Sequence, residues 1–354
     1  MRENCKLSLS GNRTNNPSVL FSEMASWCKE NNVDHDIYGE GKLINNFEDE
    51  VAEYLGFGSA LFMVTGTMSQ SVALEIACSD KLNQNVAMHP SCHIYLRENQ
   101  GYQLQNRFKA IPIGNPYIPW TIDALKQVPD KLAAGVYELP MREIGGQLPS
   151  YNQLNEIKQY CNSKNIHFHL DGARLWESAA YYQKSYSEIT NGFDSAYVSF
   201  YKGIPGLGGA MLLGNKDYIK KARVWMHRQG GRVWRFSPYV IAAAMEFKKR
   251  IENMPHLFQR TIELYQLLKS YPSITPNPDA PQANMLHLHL PINQSQATML
   301  RDRIAQEYQV WIGNPQQGML KKHSYIEWYV GDTLLEMSDH KLKTYLQLIE
   351  DGCQ

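Results

Sequence analysis

Apolar positions along this chain switch repeatedly between two periods. "EGKLINNFEDEVAEYLG" (40–56) spaces its apolar residues three and four apart, which predicts an amphipathic helix stopping at Gly56. "SALFMVTGT" then runs apolar into a glycine turn, and "MSQSVALEIAC" resumes helical spacing. Short strand-like runs follow at 85–89, 108–113, 134–139, 166–170, 195–200 and 209–214, with helical stretches such as 151–165 between several of them. Strands alternating with helices predict an α/β domain around a mostly parallel sheet, whose ligands bind outside the carboxyl ends of the strands. The helical stretch 237–254 is expected to close this domain. Beyond it, "NMLHLHL" (284–290) alternates like a strand with one solvated face, and "SQATMLRDRIAQEY" reads as a helix. The expected organisation is an N-terminal segment 1–39, a large domain 40–250 and a smaller α+β domain 251–354.

Composition narrows the partners. At 354 residues the chain exceeds one small core, and its 43% hydrophobic content supports a sizeable one. Lys+Arg and Asp+Glu both number 35, so nothing favours nucleic acid or an anionic membrane surface. The polar N-terminus lacks the apolar core of a signal peptide, and no run reaches the roughly 18 apolar residues of a membrane span. Six scattered cysteines without a C-x-x-C pair read as reduced thiols of a cytoplasmic protein.

Three features stand at expected strand ends. Asp171 closes the run "HFHL", Lys202 follows "SAYVSF" and precedes a glycine-rich turn, and "TGT" (65–67) lies between a strand and a helix start. Free N–H groups at such a helix start seat a phosphate or carboxylate. An acid, a lysine and an anion seat together suit pyridoxal 5'-phosphate (PLP): the amine takes the aldehyde, the acid holds the pyridine nitrogen protonated, and the helix end holds the phosphate. Two other readings compete for this stretch. Asp171 and Arg174 could form a structural ion pair, and His167, His169 and Asp171 fall on one strand face in a spacing that could ligate a metal. The metal reading explains neither Lys202 nor the TGT turn.

"DIYGE" (36–40), "MVTGTMSQ" (63–70), "HIYLRENQG" (93–101), "HLDGARLW" (169–176), "SFYKGIPGLGGAMLLG" (199–214) and "WRFSPYVIAAAM" (234–245) occur in the order seen in low-specificity L-threonine aldolases, which the chain resembles over nearly its whole length. That resemblance to β-eliminating lyases of the aspartate-aminotransferase fold implies a mostly parallel seven-stranded sheet and a PLP-dependent lyase cleaving a β-hydroxy-α-amino acid. By position, Lys202 resembles the family's Schiff-base lysine and Asp171 the partner of the pyridine nitrogen. Arg174 resembles the arginine near the phenolic oxygen, His93 the histidine stacked on the ring, and Gly66 with Thr67 the phosphate loop. Arg235 resembles an arginine reaching a neighbouring subunit's phosphate, which implies a homodimer or homotetramer; Ser10 and Tyr38 fall in regions near the family's site.

Two positions depart from the family pattern. Glu327, in "YIEWYVGD", stands where an arginine holds the substrate carboxylate, and Met141 and Arg142 stand where a histidine is expected. Either Arg142 has taken over the carboxylate, or a different substrate undergoes elimination, decarboxylation or transamination in the same frame. A non-enzymatic PLP-binding protein is the reading from another class.

Overall fold

In a computed structural model of the chain, residues 1–13 and 16–354 are described. Contacts divide it into two units: Asn15–Glu143 with Leu148–Glu252, and Met1–Thr14 with Ile144–Gln147 and Asn253–Gln354. The stretch 1–39, expected as one N-terminal segment, is therefore shared between the two.

The first strands in chain order are β1 (Leu7–Ser8), β2 (Ser59–Met63), β3 (Asn85–Met88), β4 (Lys109–Pro112), β5 (Ala134–Glu138), β6 (His167–Gly172), β7 (Ser195–Ser199) and β8 (Ala210–Gly214). In the larger unit, seven of them form one sheet in the order β2-β8-β7-β6-β5-β3-β4. The five strands from β7 to β4 are parallel, and β8 pairs antiparallel with both β7 and β2. Every residue of β5, β7 and β8 is buried, as befits central strands covered on both faces. Side-chain caps start the flanking helices. Thr65 accepts from Met68 N–H to begin Gly66–Lys81, Ser150 and Gln153 form a capping box for Tyr151–Ser163, and Asn215 caps Lys216–Arg228.

The smaller unit holds β9 (Thr275–Asn277), β10 (Met285–Leu290), β11 (Val310–Trp311), β12 (Pro315–Gln317) and β13 (Ser324–Tyr329). Its antiparallel sheet has the order β12-β13-β10-β9, and β1 pairs in parallel with β11. Leu9, Leu286, Leu288, Ile326, Trp328 and Leu346 belong to its core.

Two expectations are corrected here. The helix predicted over 237–254 continues to Leu268, with Pro255 inside it. An interior proline costs about 3 kcal/mol, but full burial of Leu257, Leu264 and Leu268 contributes about 1.5–3 kcal/mol each, so packing wins. The histidine face of β10 is also less solvated than its alternation implied. His287 is buried, its ring stacked 4.4 Å from that of Tyr325 and its Nε2 3.8 Å from the Glu327 carboxylate on β13. No helix among the described residues is long and apolar enough to cross a membrane, and the six cysteines are all free.

Candidate active site

The carboxyl ends of β5, β6 and β7 set a row of polar side chains. Strand register places Glu138 beside Asp171 and Asp171 beside Tyr197, and registered residues of parallel strands share a face. All three line one cavity at these strand ends. Gly66, Thr67, His93, Arg142, Arg174 and Lys202 line it too. The residues read as the chemical centre are thus brought together.

Asp171 is 3% exposed and accepts one N–H, from Ala173, at 3.1 Å. Burial raises its carboxyl above the ordinary value, against the pull of Lys202 and His93 and of the Ala173 hydrogen bond. Lys202 lies three residues past β7, its amine 5.6 Å from the Tyr201 ring centre. Burial lowers its pKa; Asp171 resists this, while Arg174 and Arg142 add to it. The outcome is an amine with a larger neutral, nucleophilic fraction than an exposed lysine has.

The helix Gly66–Lys81 points its N-terminus at the cavity, with Gly66 and Thr67 as its first residues. A Cβ at Gly66 would lie 2.1 Å from the Tyr197 hydroxyl, so only glycine lets the helix start come this close. His93 begins the short helix His93–Leu96; its N–H donates to Glu138 at 2.9 Å, and its Nδ1 lies 3.1 Å from the buried Glu98 carboxylate. Arg174 donates to Glu177 at 3.1 Å. Arg142 lines the cavity while keeping almost half its side chain exposed, whereas Met141 beside it is fully buried.

Other residues singled out in the sequence lie elsewhere. The Tyr38 ring packs edge-on against Trp234 at 4.8 Å with the Arg232 guanidinium over its face, and Arg235 donates to the Asp36 carbonyl; neither Tyr38 nor Arg235 lines the cavity. Ser10 and Glu327 belong to the smaller unit. There Ser10 accepts the Tyr329 N–H at 2.8 Å, and Glu327 faces His287. His167 and His169 both reach Ser195 Oγ at 2.7 Å, and His169 also reaches Gln70 at 2.7 Å, so hydrogen bonds occupy the pair read as possible metal ligands.

Glu98, Glu138, Tyr197 and Tyr201 line the cavity without having been singled out. Glu138 carried a weaker signal, since it interrupts the apolar run 134–139 one residue before its end. Glu98 carried none, because a turn brings it back to His93.

Known proteins bear on this geometry in three ways. A low-specificity L-threonine aldolase of Escherichia coli (strain K12) is 30% identical over 204 residues, which is 56% of this chain and 61% of that protein. The counterpart in Escherichia coli O157:H7 is 29% identical over 218 residues, 60% of this chain and 65% of its own length. The chain therefore spans less than two thirds of these curated relatives. A crystal structure from Listeria monocytogenes, provisionally assigned as an L-allo-threonine aldolase, superposes with a TM-score of 0.93 at 36% identity, over 99% of this chain and 97% of that one. The family description that matches is Beta-eliminating lyase, over residues 13–291, a span that contains every residue lining the cavity. The chain belongs to the beta-eliminating lyase family.

Proposed function

We propose that the protein is a PLP-dependent lyase that cleaves a β-hydroxy-α-amino acid, of the threonine type, into glycine and an aldehyde. The observation that carries the reading is the juxtaposition, in one cavity, of the Lys202 amine, the buried Asp171 carboxylate and the N-terminus of the helix Gly66–Lys81. These residues fit the cofactor. Gly66 leaves a cradle that a Cβ would fill, the helix N-terminus offers N–H donors to a phosphate, and a buried acid needs the cationic partner that a protonated pyridine supplies. When bound, PLP supplies an electron sink for the charge developing at the substrate's alpha carbon.

The chain's own residues have distinct tasks. Lys202 presents the nucleophilic amine toward the cofactor's aldehyde, and Asp171 holds the proton on the ring nitrogen. Gly66 and Thr67 donate backbone N–H groups to the phosphate, and Arg174 supplies positive charge near the phenolic oxygen. Glu98 orients His93 through Nδ1, which leaves Nε2 to take and return the proton of the β-hydroxyl. Arg142, charged and reaching the cavity, binds the substrate carboxylate, and buried Met141 takes no part in this. Arg235 serves the phosphate of a neighbouring subunit in a homodimer or homotetramer. With all six thiols free, the enzyme works in the reducing cytoplasm.

The test is acetaldehyde and glycine release from L-threonine and L-allo-threonine by the PLP-loaded protein. Lys202→Ala abolishes turnover, and Arg142→Leu raises KM about 100-fold, the worth of one charged hydrogen-bonded contact. Departure of a β-substituent, carbon dioxide release or amino transfer, with no aldehyde formed, would instead establish the diverged reading that Glu327 prompted.

A further inference from the structure

The cavity contains a third acid, beside Asp171 and Glu98, to which the reaction above gives no task. Glu138 ends β5 in register with Asp171 and is 6% exposed. Its Oε1 accepts the His93 N–H at 2.9 Å, while its Oε2 is buried and meets no hydrogen-bond partner among the described residues. Among the described residues no hydrogen bond joins the two carboxyls, and both acids line the same cavity.

Charge decides the form Glu138 takes. Asp171 faces it from β6 and Glu143 from the segment after β5, and both disfavour a second negative charge. Lys202, past β7, counters it and also serves Asp171, and Arg142 and Arg174 line the same cavity. The Asp171 carboxylate has further support, from the His93 ring and the Ala173 N–H. Burial and then the charge of Asp171 push the Glu138 carboxyl well above the usual carboxylate range, with the His93 N–H opposing. Adjacent acids in low dielectric keep a proton between them, and the acid with fewer donors and countercharges holds it. A protonated carboxyl is also a donor, which an ionised one is not.

We propose that Glu138 holds a proton and donates it as a hydrogen bond from Oε2 to the group seated beside Asp171, leaving Asp171 as the ionised acid of the pair. Glu138 is then a positioning residue: it orients the bound group and leaves the single negative charge on Asp171. The inference rests on the PLP reading for the identity of that group.

Infrared difference spectra of wild type against Glu138→Gln, at neutral pH, test the proton without any ligand. A protonated-carboxyl stretch that is present in wild type and missing from the variant is expected, and it should shift when PLP is added. Glu138→Gln, whose amide can still donate, should hold PLP within about threefold of wild type, and Glu138→Met should lose about tenfold, the worth of one hydrogen bond. Absence of the stretch in wild type overturns the proposal even if neither variant folds. A stretch that PLP leaves unmoved, or equal PLP affinity in Glu138→Met, overturns the donation. If the chain takes up no PLP while the stretch is present, the cofactor reading fails and the proton on Glu138 stands.

Discussion

Two regions of the larger unit hide carboxylates from solvent and treat them in opposite ways. Asp36, 4% exposed, accepts N–H groups from Gly39, Phe236 and Ser237 and the Ser237 hydroxyl, at 2.6–3.1 Å. Burial acts to raise its pKa, but the hydrogen bonds from Ser237, Phe236 and Gly39 outweigh burial and hold the carboxyl below its ordinary value. At the strand ends, Asp171 accepts the Ala173 N–H and Glu138 the His93 N–H, and both are raised. What separates the two regions is the set of donors aimed at each acid together with how deeply it is buried. Asp36 spends its charge clamping "DIYGE" to "WRFSP", whereas the strand-end acids keep unsatisfied capacity for a ligand.

Substitutions can break this contrast, beginning where the effect is greatest. Asp171→Ala should lower aldehyde release by the PLP-loaded protein about a thousandfold, the scale of losing one preorganised electrostatic partner, with little change in the urea midpoint. A loss below tenfold would mean that Asp171 is structural like Asp36. Asp36→Ala should do the reverse, costing about 2–4 kcal/mol in urea unfolding, because four donors lose their acceptor. Its pH dependence follows from the sign of the shift. A carboxyl depressed in the folded state contributes its full stability above its unfolded pKa and loses it as pH falls through the folded value. Wild type should therefore lose stability below about pH 4 by a component that Asp36→Ala lacks. An unchanged acid limb in the variant would show that the clamp carries no charge. The smallest effect is expected for Ser237→Ala, about 1 kcal/mol, with the acid midpoint moved upward as one donor to Asp36 is lost.

Legibility differed along the same line. Asp171, Lys202 and Gly66 were readable because each punctuates an apolar run, and in a parallel sheet that punctuation marks the ligand edge. Glu138 was less readable, since Leu139 continues the apolar run past it. Glu98 was not readable, since its approach to His93 depends on the turn after the helix His93–Leu96. Tyr38 and Arg235 were legible as parts of "DIYGE" and "WRFSP", but their mutual arrangement comes from Asp36, whose main-chain and side-chain oxygens knit segments about 200 residues apart. Helix 237–268 ran past its expected end because burial of leucines after Pro255 outweighs a local backbone penalty.

By itself, the sequence determined the alternation of strands and helices, the helix start at the TGT turn, and the candidate lysine and acid at strand ends. These follow from local periods, caps and backbone preferences, which neighbours along the chain settle. Tertiary structure decided the direction in which Asp36 and Glu138 are shifted, the hydrogen bonding of His167 and His169, and the approach of Tyr197 to Gly66. Desolvation and hydrogen bonding depend on what surrounds a group in space, and strand register and remote loops supply those surroundings.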